Sequence, residues 1–461
     1  MQHENILESL ATPHGRALAG FAIVAISLAA SFALFALEPN PRVVFEAALG
    51  AAAVVALLLY PEFALALYVI VGDIKGDDQI ASLVSVDLTL ALGAILFAGM
   101  VLNLLRGRRP LRLPPVYFLF LALVTLMAAS LAHTPVLEAG ADKLARFLTV
   151  TGIVILGPFF VLTTPQAVKR FLAGFSLAAL GICAYSLTSL GGSDRLATPS
   201  DNTIGLGHIA CALFLVIWYA WLPELSFARR VLVYPLLAVP AIALVGSGSR
   251  GPVIALALAL LLSVYFRRGL LLDLACLGGA GILALPFVGI PPASLEYLGS
   301  LTECHTMTQL FSFRADLWEH GWQLLQRHPL IGAGLGSFPY SSPNPALYNW
   351  PHNIFLEIAC ELGLPALLIA GAIFGGAIRD FLRQIRDRRS PGFALSMLAG
   401  ALLISGIVNA TNTGDINSDR LTWLFVTFVF VAGALRHNLP LATTVTGISR
   451  GAMQRRKRIT W

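Results

Sequence analysis

Charge is scarce in this chain. Lys, Arg, Asp and Glu make up 12% of its 461 residues, against about 25% in a soluble domain. Hydrophobic residues reach 57%, and no water-soluble fold hides that much apolar surface. The class is therefore integral membrane. Cysteine is scarce too. Cys183, Cys211, Cys276, Cys304 and Cys360 are scattered and no CxxC pair occurs, so neither a disulfide framework nor a zinc site is indicated. No period of roughly 20–50 residues recurs, which excludes a solenoid. The formal charge is +6, but the basic residues sit in short clusters between apolar runs. That is how membrane spans are oriented, not how a nucleic-acid surface is built.

What the sequence does have is long apolar runs. A helical span needs about 20 such residues. Candidates lie at 17–37, 43–60, 62–73, 86–106, 115–133, 145–163, 171–190, 204–222, 231–247, 251–267, 270–290, 353–378, 392–410 and 420–436. Pro61 separates the second from the short third, which predicts two tilted spans or a re-entrant hairpin. The expected fold is an all-α polytopic membrane protein of 12–14 transmembrane helices with one large helical loop. Its parts are an N-terminal bundle over 1–287, the loop over 288–351, C-terminal helices over 352–436 and a basic tail over 437–461. The polar stretch from Met1 to Arg16 has no small-residue cleavage site after the first run, so that run reads as an uncleaved signal anchor.

Basic clusters then set the sidedness. With the N-terminus inside, the inner loops hold Arg106, Arg108, Arg109 and Arg112, then Lys169-Arg170, Arg229-Arg230, Arg267-Arg268, Arg379 to Arg389, and a tail from Arg450 to Arg458. The outer loops become 74–85, 134–144, 191–203, 247–250, 288–352 and 411–419, rich in Asp, Gly, Ser, Thr and Asn. The long loop faces outward.

Four polar features meet on that outer face. The first is the turn Gly246-Ser247-Gly248-Ser249-Arg250-Gly251-Pro252. Arg250 opens the next helix; a snorkelling side chain would look the same, but the outside is the wrong side for a basic residue. The second is an amphipathic helix around Arg314, Trp318 and Trp322, each one turn from the next. Its tryptophans suit an anchor on lipid headgroups, with Arg314 pointing inward. The third is His328 to Phe338, whose alternating glycines could offer backbone N–H groups to a phosphate or simply form a structural turn. The fourth is His352-Asn353 with Glu357 and Glu361, a polar stripe at one-turn spacing. Such a stripe can glue spans together. A histidine at the water boundary also suits proton transfer near neutrality.

Two outward arginines, a histidine and no Asp-x-Asp pair on the outer face point to a lipid-linked diphosphate. Guanidinium groups hold phosphate oxygens in a bidentate fork and stay charged. Arg250 and Arg314 would neutralise the departing diphosphate, and His352 would take the proton from an attacking hydroxyl. The chemistry is glycosyl transfer without a divalent ion.

In order and sidedness, Ser249-Arg250-Gly251, Arg314 with Trp318, Pro329 to Phe338, and His352-Asn353 with Glu357, Glu361 and Gly363 resemble the O-antigen ligase and Wzy-type polymerase superfamily. The resemblance covers about 200–411. It implies an inner-membrane, metal-independent, inverting glycosyltransferase of the GT-C type, with no cofactor and a site facing the periplasm. Its ligases move O-antigen from undecaprenyl diphosphate to a lipid A-core acceptor. The implied partners are thus that donor, that acceptor and membrane lipids, with no nucleic acid. The implied catalytic residues are His352, Arg250 and Arg314. Substrate contacts would add Ser249, Asn353, Glu357 and, opening the span after 191–203, Asn202 with Gly205.

Three other readings stay open. A polymerase would join two lipid-linked repeats. A protein O-oligosaccharyltransferase would use a serine or threonine acceptor, and its usual outer C-terminal region has no counterpart in the short basic tail. A lipid-linked glycan transporter would need no His352, and transporters commonly have paired halves, whereas the two halves here do not resemble each other.

Overall fold

A computed structural model describes residues 41–76, 87–266, 288–303, 314–341, 350–388 and 392–438, with Asp273, Ala275, Gly278, Gly279 and Ser390. The expected first span, most of the span at 270–290 and the basic tail lie outside the described residues.

Among the described residues the chain is helical throughout, as an all-α polytopic membrane protein should be. The remaining apolar runs each coincide with a helix. These are α1 (Pro41–Leu59), α2 (Pro61–Ile70), α3 (Leu88–Leu105), α4 (Tyr117–Ser130), α5 (Leu137–Val161), α6 (Pro165–Ser186), α7 (Thr203–Trp221), α8 (Phe227–Gly246) and α9 (Arg250–Phe266). After the long loop come α12 (Ile354–Gln384), α13 (Phe393–Asn412) and α14 (Arg420–Asn438). The loop itself holds α10 (Pro292–Glu303) and α11 (Arg314–Arg327). Among the described residues, seven helices are long and apolar enough to cross a membrane. The pair divided at Pro61 is bent by 108°. Proline pushes the residue before it out of the helical region, and Tyr60 sits at φ −128°, ψ 68°.

Burial shows which helices are central. The apolar windows of α7 and α13 are 72% buried, against 28% for α3. Residues 421–432 of α14 are buried as well, with Trp423 packed edge-on against Phe120 and Phe147. Leu90, Phe97, Phe118, Leu177 and Leu368 instead face outward into what would be lipid. The central helices are therefore α7, α13 and α14.

One boundary needs correction. Residues 134–144 read as an outer loop, but Leu137–Arg146 is helical and runs on into the apolar span through a π-turn at Phe147–Thr151. Glu138, Asp142, Lys143 and Arg146 interrupt the hydropathy without interrupting the backbone. A second correction concerns the loop tryptophans. Trp322 is exposed, but Trp318 is turned into the protein, where its Nε1 donates to the Pro351 carbonyl at 3.0 Å.

Polar contacts segregate to opposite ends of the bundle. At one end Arg170 pairs with Glu62, Arg230 with Asp273 and Arg436 with Asp387. At the other, Arg195 meets Ser247, Asn202 meets Asp73, and Lys143 meets Glu361. The residues expected inside and those expected outside do not mix.

Candidate active site

The segment that carries His352 is held by the glycine-rich loop. Helix α12 is broken at Gly363, whose φ of 85° and ψ of 176° are far from helical. Around the break the loop donates Ala333 N to Cys360 O and Gly334 N to Glu361 O, both at 2.9 Å, and accepts Leu364 N at Pro329 O at 2.8 Å. A side chain at Gly332 would meet the Glu361 carbonyl carbon at 2.2 Å, and Gly332 is at φ 69°, so only glycine fits. The loop is thus the structural turn of the two readings, with the amides of Gly332, Ala333 and Gly334 bonded inside the protein. Gly336 N and Phe338 N donate to the Glu361 carboxylate at 3.0 and 3.3 Å.

The polar stripe is turned inward. Lys143 Nζ lies 2.6 Å from both Glu357 Oε1 and Glu361 Oε2. The two carboxylates are 2% and 1% exposed. Glu357 also accepts Ile416 N at 2.9 Å, which compensates the second negative charge. Together with Asn353, which caps α12 by accepting Leu356 N at 3.1 Å, the stripe fixes the start of the helix.

His352 precedes that cap in the left-handed region, at φ 53°, a position uncommon for a non-glycine residue and often met at functional sites. Its Nδ1 has two competing partners, Trp350 Nε1 at 3.1 Å and the Thr413 carbonyl at 3.4 Å. The indole can only donate, so it needs Nδ1 bare; the carbonyl needs Nδ1 protonated. Burial, and then the Arg314 charge, hold the imidazole below its ordinary value, while Thr413 and Asp415 pull it back up. His208 reaches the same Thr413 from α7. Its Nε2 is 2.9 Å from Thr413 Oγ1, which itself donates to Asn409 O, so Nε2 is the donor. His352, His208, Thr413, Asp73 and Asn202 share one cavity of about 350 Å³. Asn202 caps α7 by accepting Gly205 N at 2.8 Å and donates Nδ2 to Asp73 Oδ1 at 2.9 Å.

The arginines gather on Tyr297 of α10. Arg250 Nε donates to the Tyr297 carbonyl at 2.8 Å, and its guanidinium lies 5.5 Å from that ring. Arg195 lies over the same ring at 4.5 Å. Ser249 is buried and holds Arg195: it accepts Arg195 Nη2 at 3.2 Å and donates to Thr203 O at 3.1 Å. Arg314 is close enough that the positive charges of Arg250 and Arg195 lower its pKa, after burial. Three like charges at one place repel, and a multivalent anion relieves that cost.

The structure thus brings Arg250, Arg314 and His352 to one neighbourhood and places Ser249, Asn353 and Glu357 behind them as supports. Arg195, His208, Lys143 and Arg420 were not singled out in the sequence. Arg195 and Lys143 carried a signal, as basic residues in the expected outer loops 191–203 and 134–144, the same wrong-side argument that marked Arg250.

A family model described as O-antigen ligase matches residues 235–371. A search of curated proteins gives no match. The matched stretch contains Arg250, Arg314, the glycine-rich loop, His352, Glu357 and Gly363, and over it the chain is similar to the O-antigen ligase family.

Proposed function

We propose that the chain is a metal-independent, inverting glycosyltransferase of GT-C type. It moves O-antigen from undecaprenyl diphosphate to a lipid A-core acceptor at the periplasmic face of the inner membrane. The family itself supports ligase- or polymerase-type work on O-antigen. The observation that carries the finer reading is the arginine cluster on Tyr297 beside the half-buried His352.

In this reading Arg250, Arg314 and Arg195 hold the diphosphate. The acceptor oxygen attacks the anomeric carbon from the face opposite the diphosphate. The new C–O bond forms as the bond to the phosphate oxygen breaks, and the electron pair leaves with undecaprenyl diphosphate. The acceptor proton passes to His352 Nε2, which is free when Nδ1–H faces the Thr413 carbonyl. The arginines neutralise the charge that develops on the leaving group. Ser249 positions Arg195, Asn353 and Glu357 position His352, and Asn202 lines the acceptor side of the cavity.

The test is in vitro transfer by purified protein, with undecaprenyl diphosphate-linked O-antigen, rough lipopolysaccharide and EDTA. Extended lipopolysaccharide from the wild type but not from His352→Asn is the expected result. Longer lipid-linked glycan without acceptor would make the protein a polymerase instead.

A further inference from the structure

A second, larger cavity of about 960 Å³ opens beside the first on the outer face. Its wall carries the cations Lys75, Lys143, Arg146 and Arg420. Three of them are matched by carboxylates: Lys75 by Asp87 at 3.2 Å, Lys143 by Glu357 and Glu361, and Arg146 by Asp142 at 2.9 Å. Arg420 is different. Among the described residues no carboxylate lies within ion-pair distance of it. Its Nη1 donates instead to the Tyr68 carbonyl at 2.9 Å, and its guanidinium lies 5.3 Å from the Tyr68 ring.

The acids whose charge reaches Arg420 are Asp73 and Asp87, and both are engaged elsewhere: Asp73 accepts from Asn202, and Asp87 from Thr89 N, Leu90 N and Lys75. Arg420 is half-buried and lines both cavities. Lys75 and Trp350 also stand at that junction. A guanidinium fixed by a backbone carbonyl and a ring, with donors left over, is preorganised for a bidentate oxyanion.

Its placement relative to the chemistry is informative. Arg314 acts on His352 and His208 and belongs with the arginines on Tyr297. Arg420 belongs with Tyr68 and Asp73. The histidine shares a cavity with Arg420 and feels the charge of Arg314, so it stands near both cationic regions. One suits the diphosphate. The other has room for a saccharide, aromatic faces in Trp350 and Tyr340, and carboxylates suited to hydroxyl groups.

We infer that Arg420 is an oxyanion subsite for the acceptor: it binds a phosphate or carboxylate carried by the acceptor saccharide as a hydroxyl reaches His352. The inference rests on the transferase reading above and adds the chemical class of the acceptor: an anionic glycan.

The experiment measures initial rates for the purified full chain, wild type and Arg420→Gln, against acceptor at saturating donor and against donor at saturating acceptor. The acceptor is rough lipopolysaccharide in three forms: intact, stripped of phosphate with hydrofluoric acid, and amidated at its carboxylates. Arg420→Gln should raise the acceptor KM about 10- to 100-fold and leave the donor KM unchanged. That unchanged donor KM also reports an intact fold. Wild type should lose the same factor on whichever form lacks the recognised oxyanion, where Arg420→Gln loses nothing further. Loss on the phosphate-free form assigns a phosphate; loss on the amidated form assigns a carboxylate. An unchanged acceptor KM in Arg420→Gln overturns the inference while leaving the transferase reading intact. So does a wild-type enzyme indifferent to both treatments, an arm that needs no variant to fold. A wild type that transfers to none of the forms fails the transferase reading itself.

Discussion

Trp350 Nε1 donates to His352 Nδ1 at 3.1 Å, and this bond competes with the one from the same nitrogen to the Thr413 carbonyl. A donor on the bare ring nitrogen stabilises the neutral imidazole, which lowers its pKa. Trp350→Phe keeps a ring in place and removes the donor. The acid limb of kcat/KM should move to higher pH. A profile measured between about pH 5 and 8 decides this, around the ordinary histidine value of about 6.5; a limb that stays put removes Trp350 from any role in setting the base.

The wild-type profile has its own expected position. His352 is held below its ordinary pKa, so it stays a bare base to lower pH than a free histidine. Activity should persist through pH 6.5 and fall below it as the ring takes a proton. Asp419, pushed up to about 6 by burial, titrates in the same window. Asp419→Asn should leave the limb in place if the limb belongs to His352.

Replacing His352 calls for a residue that accepts a left-handed backbone, and asparagine does so more readily than alanine. His352→Asn should insert and fold yet lose about 10²- to 10⁴-fold in turnover, the usual contribution of a positioned base. Transfer assays on protein of matched thermal stability make the comparison. Activity within a factor of a few of wild type would give the proton to another group.

Arg195→Gln should behave like its neighbours. Removing any one of Arg195, Arg250 or Arg314 is expected to lower kcat/KM for the donor by about 10²- to 10³-fold, as for loss of one donor to a developing anion. The effect should persist in excess EDTA. Normal donor kinetics for Arg195→Gln would confine that residue to packing against Tyr297.

Lys143→Ala should act on stability. It strands two buried carboxylates, and breaking a buried pair from one side costs about 3–5 kcal/mol. The triple change Lys143→Met, Glu357→Gln, Glu361→Gln should recover part of that loss. Thermal unfolding in detergent reads both. Equal melting of Lys143→Ala and wild type would show that the cluster carries no net stability.

Much of the fold was legible because apolar runs of span length have few alternatives. Arg250 and His352 stood out because each sits where an apolar segment gives way to an unexpected polar one, and Arg314 because it belongs to an amphipathic helix in the long loop. Glu357 and Glu361 were visible as a stripe, but their partner Lys143 is 218 positions from Glu361 and no periodicity links them. The glycines of the loop could suit a phosphate but better suited a turn, and the loop's hydrogen bonds to Cys360, Glu361 and Leu364 decide for the turn. His208 is one polar residue inside an apolar span, and Arg420 one basic residue at a helix start. Neither has a local pattern, so only packing reveals them.

The break at Gly363 has a consequence for assembly. The turn carrying His352 takes its position from a loop that precedes it and from Lys143, with Thr134 bonded to Leu335 across 201 positions and Thr151 reaching Asn417 across 266. Nothing within Ile354–Leu362 can set the histidine by itself. As the chain is made, the arrangement around His352 therefore cannot form until Asn417 and the helix after it are in place. A nascent or truncated copy should hold neither the turn nor the histidine in place.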